Sequence, residues 1–390
     1  MRELPSENLS VLSVAMLTAN FFPYTGGAEK QALELSKALV ARGAGVTVLT
    51  RRLPGIPAKE EVEGVRVVRL PVAGTGVVDS ISFMFSSFFY LVAHAGDYSV
   101  IHVHLASSPA LAACAAGKLL GKRVVVKLGG GRGLGEISLS GKTFLGRLKL
   151  KLLAIFKPVI LSVNSDLLDE MKESGLGSIP AVLFKNGVDT GRYTPVAYHE
   201  KIAAKNELGL PNRIQFLFVG RLVPEKRIKE FIETWAEVVR EKEGNPEAGL
   251  LIVGKGPCET QLREAVKALD LDDSVIFAGE HANILPYYRA ADIFVLPSIS
   301  EGLSNAMLEA MSCGLAVMAS RVGGTREAVQ EGVNGLLFEP KDSQAIKTCM
   351  MKFIEDKNLA VRMGEKSRDM AVKNYSMARK IDELMEIYRQ

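Results

Sequence analysis

Short apolar runs rich in Val, Ile and Leu alternate along this chain with longer stretches in which apolar residues recur every three to four positions. The first pattern suits strands buried on both faces and the second suits helices with one covered side, so their alternation predicts βαβ units around parallel sheets. In the first half, strands are predicted at Ser10–Leu17, Val46–Thr50, Val65–Leu70, Val100–Leu105, Arg123–Leu128, Val159–Val163 and Ala181–Phe184. The pattern restarts with Gln215–Val219, Leu250–Val253, Val275–Ala278, Ile293–Leu296, Ala316–Ala319 and Leu336–Phe338. Between the two series, Asn186-Gly187-Val188-Asp189 to Pro195 and then Pro211-Asn212 supply turn residues without an apolar period. Beyond Phe338 the amphipathic segments Ser343–Ile354, Leu359–Lys373 and Met377–Tyr388 predict helices.

The expected architecture is therefore α/β, with two doubly wound Rossmann-like domains at 1–190 and 213–370 and a linker at 191–212. The C-terminal helices are expected to pack back across both domains, with 371–390 crossing to the first. Open α/β sheets bind ligands at the carboxyl ends of their strands, so two facing sheets predict one shared cleft, with the chemistry in loops after strands.

A length of 390 residues suits two such domains, and 47% hydrophobic with 24% charged residues excludes a disordered or fibrous chain. Cys114, Cys258, Cys313 and Cys349 lie far apart without C-x-x-C spacing, which predicts core thiols in a reducing compartment instead of disulfides or structural zinc. Met1–Ser10 lacks a basic region leading into an apolar core, so no secretory leader is expected. The apolar stretch Ile81–Ala93 has thirteen residues and contains a serine pair, short of the roughly 20 that a spanning helix needs. The expected location is cytoplasmic, with peripheral attachment at the inner face of a membrane left open, and no nucleic-acid partner is expected. Residues 1–195 carry 22 Lys and Arg against 15 Asp and Glu, while 196–390 carry 26 against 29. The basic half favours an anionic partner. Within it, Lys142–Lys157 interleaves Lys142, Arg147, Lys149, Lys151 and Lys157 with Phe and Leu, as does a basic amphipathic helix on an anionic membrane or an ordinary sheet-covering helix.

The densest chemistry follows the strand Ile293–Leu296, where Glu301-Gly302-Leu303-Ser304-Asn305-Ala306-Met307-Leu308-Glu309-Ala310-Met311 sets two carboxylates eight residues apart. Glu301 is expected in the loop and Glu309 inside a helix beginning near Ser304, whose first amides, those of Gly302, Leu303 and Ser304, suit phosphate oxygens. After the strand Gln215–Val219 come Gly220-Arg221 and then Lys226. Gly254-Lys255-Gly256 after Leu250–Val253 reads on its own as a tight turn, and Gly26-Gly27 after the first strand allows close backbone approach to a ligand. His102 and His104 alternate on one strand and share a face. Asp270-Leu271-Asp272 has the spelling of a metal-holding D-x-D but falls in an expected surface turn before Val275.

The Glu301–Met311 segment resembles the E-x7-E motif of retaining glycosyltransferase family 4, whose fold is GT-B, and Gly220-Arg221 with Lys226 is similar to that family's G-R-x-x-x-x-K segment. The resemblance is densest from Gly220 to Gly335. It implies a metal-independent enzyme that transfers a hexosyl group from a nucleotide-diphosphate sugar to a glycan, lipid-linked or small-molecule acceptor with retention of configuration, in glycan, polysaccharide or glycolipid biosynthesis. It implies catalytic roles for Arg221, Lys226 and Glu301, with Glu301 at the donor sugar hydroxyls and Glu309 at the nucleotide ribose. It adds Gly26, Gly27, Gly220, Gly254, Gly256, Gly302, Leu303 and Ser304 on the donor, an acceptor-binding first domain and a nucleotide-sugar-binding second one. The family's T-x-H-G pattern is replaced here by Lys127-Leu128-Gly129-Gly130-Gly131-Arg132-Gly133, so the family's His role has no residue to carry it. His104 and Lys127 stand as the acceptor-side candidates. A nucleotide-sugar 2-epimerase and a non-catalytic nucleotide-sugar-binding subunit are the alternatives. No G-x-G-x-x-G follows the first strand, which counts against a dinucleotide oxidoreductase.

Overall fold

The computed structural model describes residues 12–23, 26–106, 108–242 and 247–390. Ser10 and Val11 of the first predicted strand, and Tyr24 and Thr25 of the loop before Gly26, lie outside the described residues. The chain forms two compact units, one of residues 1–185 with 380–390 and one of residues 186–379.

The first unit contains β1 (Ser13–Thr18), α1 (Gly27–Ala41), β2 (Gly45–Arg51), β3 (Lys59–Val62), β4 (Val65–Leu70), α2 (Gly76–Ala93), β5 (Val100–His104), α3 (Pro109–Leu120), β6 (Arg123–Lys127), α4 (Glu136–Gly141), α5 (Phe144–Phe156), β7 (Val159–Ser162), α6 (Ser165–Glu173) and β8 (Ala181–Leu183). Its sheet runs β3-β4-β2-β1-β5-β6-β7-β8, parallel except for β3. Strand β3 was not expected, because Lys59-Glu60-Glu61-Val62 holds one apolar residue. Two features place it: Glu63 and Gly64 both have positive φ, at 49° and 82°, which fits a two-residue hairpin turn, and charged residues are well tolerated at a sheet edge.

Helix α2 corrects the expected thirteen-residue apolar stretch: it extends back through Val77 and Val78 to eighteen residues, long and apolar enough to cross a membrane by length and composition. Its connections place it otherwise. It is the crossover between β4 and β5 of one sheet, with Phe83, Ser87 and Leu91 buried.

The second unit contains α7 (Tyr198–Glu207), β9 (Ile214–Val219), α8 (Ile228–Glu241), β10 (Ala248–Val253), α9 (Glu259–Ala268), β11 (Val275–Gly279), α10 (Leu285–Ala290), β12 (Ile293–Leu296), α11 (Asn305–Ser312), β13 (Ala316–Ser320), α12 (Gly323–Ala328), β14 (Gly335–Phe338), α13 (Ser343–Glu355), α14 (Lys357–Tyr375) and the start of α15 (Met377–Arg389), which ends in the first unit. The division falls after Lys185, and the segment 191–212 is more than a connection. It carries α7, whose Lys201 and Lys205 reach Asp292 at 2.7 and 3.2 Å. Burial opposes the Asp292 charge, but the two ammonium groups outweigh it and hold its pKa below the usual range.

The six parallel strands of this unit run β11-β10-β9-β12-β13-β14. The chain winds outward from β9 in one direction and from β12 in the other, so the topological switch lies between these two strands. The helices follow from amphipathic spacing. In α8, Phe231, Ile232, Trp235, Val238 and Val239 form the buried stripe, with the Trp235 indole donating to Ser274 Oγ at 3.1 Å. Three of the four cysteines are part of such cores, and burial pushes the Cys114 and Cys313 thiols up to about 12 and that of Cys349 up to about 11. Cys258, expected as a core thiol, is only half-buried because it sits in the turn that starts α9.

Candidate active site

The loops after β9, β10, β12 and β13 meet at the carboxyl end of the second sheet. After β9 the chain makes a short 3₁₀ turn at Pro224–Lys226, and after β12 it runs to Glu301. These loops lie on either side of the switch. The Ile299 amide donates to the Glu225 carbonyl at 3.0 Å, and Lys226 Nζ reaches Glu301 Oε1 at 2.5 Å. Glu301 is buried, so the ion pair holds a carboxylate that would otherwise be costly to remove from water.

Backbone contact without room for a side chain fixes the neighbouring loops. A Cβ on Gly254 would lie 1.9 Å from the Gly220 carbonyl oxygen, and one on Gly256 would lie 2.3 Å from that of Leu222. Gly254 also has φ 137°, which L side chains rarely adopt. The Gly220 amide donates to the Val253 carbonyl and the Leu222 amide to that of Lys255, both at 3.0 Å. On the other side, a Cβ on Gly324 would lie 2.2 Å from the Gly302 carbonyl oxygen, which accepts the Gly324 amide at 2.8 Å. The glycine pairs therefore press successive loops together at the strand ends.

Helix α11 begins where the sequence suggests. Ser304 is its N-cap, its Oγ accepting the Met307 amide at 3.3 Å. Glu309 lies within the helix, buried, and accepts a hydrogen bond from the Tyr288 hydroxyl at 3.0 Å. Burial, reinforced by the Glu309 charge, holds the Tyr288 pKa well above the usual range, so the phenol keeps the proton it donates. Arg221 directly follows the Gly220 turn, is exposed, and has no ion-pair partner among the described residues.

Two residues at this site were missed in the sequence. Tyr288 sits in α10, where nothing in its local pattern marks it. Asn186, read only as a turn residue, donates through Nδ2 to the Leu303 carbonyl and to Asn305 Oδ1, both at 2.9 Å, and so fixes the start of α11. The Asp270-Leu271-Asp272 turn precedes β11 and is therefore at the opposite, amino end of the strands, with Leu271 buried. A cavity of about 1210 Å³ also opens at the amino ends, lined by Ile214, Asp292, Lys201 and Arg213 among others, and it does not contain Lys226 or Glu301.

In the first unit Gly26 caps α1, and a Cβ there would lie 2.2 Å from Glu29 Oε2; Gly27 is the first helical residue. His102 and His104 share one face of β5 with ring centroids 5.3 Å apart, and both are buried. The Tyr388 hydroxyl lies 2.5 Å from His102 Nδ1. Burial, with Lys127 adding to it, lowers the His102 pKa to about 3 and holds His104 well below the usual value. Lys127 is itself buried, its pKa lowered to about 7 by desolvation and by Lys380. The glycine-rich loop after it uses its amides internally: Gly129 and Gly130 donate to Glu136 at 3.1 and 3.2 Å, while Arg132 pairs with Glu173 at 2.7 Å.

Two Rossmann-like units, one with a lysine–glutamate pair at its switch point and a buried glutamate in the following helix, place the chain among the doubly wound α/β proteins, a class in which ligands bind at strand carboxyl ends. Comparison with known proteins makes the assignment specific. Residues 25–192 match the family model described as Glycosyltransferase Family 4, and residues 200–370 match that of Glycosyl transferases group 1. The chain is 25% identical to N-acetyl-alpha-D-glucosaminyl L-malate synthase of Bacillus anthracis over 94% of each chain. It is 32% identical to a GDP-mannose-dependent monoacylated alpha-(1-6)-phosphatidylinositol monomannoside mannosyltransferase of Corynebacterium glutamicum, over 50% of this chain and 53% of that relative. Among solved structures, a protein of Anabaena in complex with UDP and glucose superposes with a TM-score of 0.79 at 19% identity, covering 97% of this chain and 99% of the other. The chain belongs to the group 1, family 4 glycosyltransferases and has their GT-B fold.

Proposed function

We propose that this glycosyltransferase moves a hexosyl group from a nucleotide-diphosphate sugar to an acceptor hydroxyl in glycan or glycolipid synthesis, with retention of configuration and without a divalent ion. The observation that carries the reading is the Lys226–Glu301 pair spanning the switch point, where a parallel α/β sheet binds its ligand. The named donor of the Corynebacterium relative, GDP-mannose, supports a nucleotide sugar as the donor.

In this reading the bond from the sugar anomeric carbon to the diphosphate oxygen breaks with its electron pair going to that oxygen. Lys226 and Arg221 stabilise the developing charge, as fixed cations do in place of reorganising water. The acceptor oxygen bonds to the anomeric carbon from the same face, and its proton passes to the departing phosphate oxygen. Glu301 holds the donor sugar hydroxyls and orients Lys226, while Glu309, held by Tyr288, accepts from the ribose. Gly302, Leu303 and Ser304 lend backbone amides at the start of α11, with Gly220, Gly254 and Gly256 forming the wall that carries the nucleotide. Gly26 and Gly27 approach the donor diphosphate, and His104 and Lys127 serve the acceptor side.

Thermal unfolding with UDP-, GDP- and ADP-sugars tests the donor, because a ligand that binds only the folded chain raises the melting temperature by mass action. One base is expected to raise it in the wild type and much less in Lys226→Ala. Proton NMR of the product then reads the anomeric configuration, and an inverted linkage refutes the retaining reading.

A further inference from the structure

Twelve of the twenty exposed large apolar side chains among the described residues fall between positions 76 and 157, against four in the whole of the second unit. They follow helical spacing. Val78, Ile81, Phe85 and Phe89 line one outer stripe of α2, and Phe144, Leu148 and Ile155 line the corresponding stripe of α5. Helix α3 packs against both α2 and α5, and α4 packs against α5, so these helices lie side by side on one surface of the first unit. The right-handed crossovers β4-α2-β5, β5-α3-β6 and β6-α5-β7 advance in one direction along the sheet and put their helices on the same face.

Charge is concentrated in the same place. Residues 76–157 carry ten Lys and Arg against three Asp and Glu. Of these bases, Lys118, Lys142, Arg147 and Lys151 are exposed and have no carboxylate partner among the described residues. Lys149 is turned inward, its ammonium donating to the Ala106 carbonyl at 2.7 Å. Of the acids, Asp79 pairs with Arg51 at 2.7 Å, and Glu136 accepts the Gly129 and Gly130 amides.

We propose that the α2–α3–α5 face docks the enzyme on an anionic lipid bilayer, with Phe85, Phe89, Leu148 and Ile155 entering the headgroup boundary and Lys142, Arg147 and Lys151 meeting lipid phosphates. An apolar stripe rimmed by unpaired cations matches such a surface, whose negative potential attracts each cation within a Debye length. A second copy of the chain fits less well. A two-fold contact would set this patch against itself, placing the same excess of positive charge on both sides. The proposal stands apart from the donor-site reading, since every residue it uses lies in the first unit and outside the candidate site.

Flotation of the full chain with vesicles tests it. Wild type is expected to float with vesicles of equal parts phosphatidylcholine and phosphatidylglycerol, to bind pure phosphatidylcholine far less, and to be released by high salt. Reversing three cations in Lys142→Glu, Arg147→Glu, Lys151→Glu should weaken binding on the order of a hundredfold. Phe85→Ser with Phe89→Ser should weaken it about tenfold or more. Both variants alter exposed positions, and unchanged melting temperature and donor-induced thermal shift would show that the fold persists. Failure of the wild type to float, or undiminished binding by both folded variants, overturns the proposal. So does light scattering that shows a dimer dissolved by Phe85→Ser with Phe89→Ser, since the face would then belong to a second copy.

Discussion

At the carboxyl ends of their central strands the two units bury opposite kinds of charge. In the second unit, carboxylates meet donors from other elements: Glu301 meets Lys226 and Glu309 meets Tyr288. In the first unit the buried groups are basic and crowd together, with His102, His104 and Lys127 on adjacent strands and Lys380 acting on Lys127. No hydrogen-bond partner is present among the described residues for either ring nitrogen of His104. An ion pair or hydrogen bond offsets the cost of burying a carboxylate, whereas burial and neighbouring positive charge both favour the deprotonated form of a base. The second unit is thus built around fixed charge, and the first around neutralised bases.

Replacing one partner of the fixed charges has the strongest consequence. Lys226→Ala should lower kcat/KM by about 100- to 1000-fold, the usual loss for one group stabilising a leaving oxyanion. Lys226→Arg should restore only part of it, because a planar fork does not reproduce a compact ammonium. Steady-state transfer assays read both, and near-normal kcat/KM in Lys226→Ala would remove the second unit's charge from the chemistry.

Gly254→Ala tests whether the charged loops depend on backbone contact. With a Cβ only 1.9 Å from the Gly220 carbonyl oxygen, the loops after β9 and β10 must separate, at a cost of about 3 kcal/mol in denaturant unfolding.

The first unit should respond to pH. The Lys127 pKa is about 7 when folded against 10.5 as its ordinary value, so between these values the unfolded chain binds more protons and stability rises with pH. His102 has the same sign lower down: its pKa is about 3 when folded against 6.5, so stability is lost as pH falls through that interval. Lys127→Met should abolish the upper rise and stabilise the first unit at neutral pH by about 2 kcal/mol. Hydrogen exchange of β5 and β6 amides at pH 7 and 9 measures it. An unchanged pH slope in the variant would assign the slope to other groups.

Tyr288→Phe is the mildest change. It removes one hydrogen bond to Glu309, and the resulting cost of about 1 kcal/mol should appear as a several-fold weaker donor affinity with kcat nearly preserved.

Local sequence determined most of the fold. A buried parallel strand needs an apolar run whatever surrounds it, so Ile293–Leu296 and Val65–Leu70 are found at the positions that their composition predicts. The start of α11 was likewise legible, since Ser304 caps through its own side chain and the amide three residues on. The hairpin strand β3 was not, because its pairing rests on turn geometry and an edge position, and Lys59-Glu60-Glu61-Val62 has no apolar signal.

What only the tertiary structure decided is which groups meet. Lys226 and Glu301 are 75 residues apart in sequence, and the order of β9 and β12 in the sheet brings them together. Tyr288 reaches Glu309 across 21 residues, and the Gly129 and Gly130 amides are taken up by Glu136 at the start of α4. Side-chain partnership depends on strand order and on the angle at which a helix leaves a strand. Both are set by the packing of the whole unit, whereas the tendency to form a strand or cap a helix is set within a few residues.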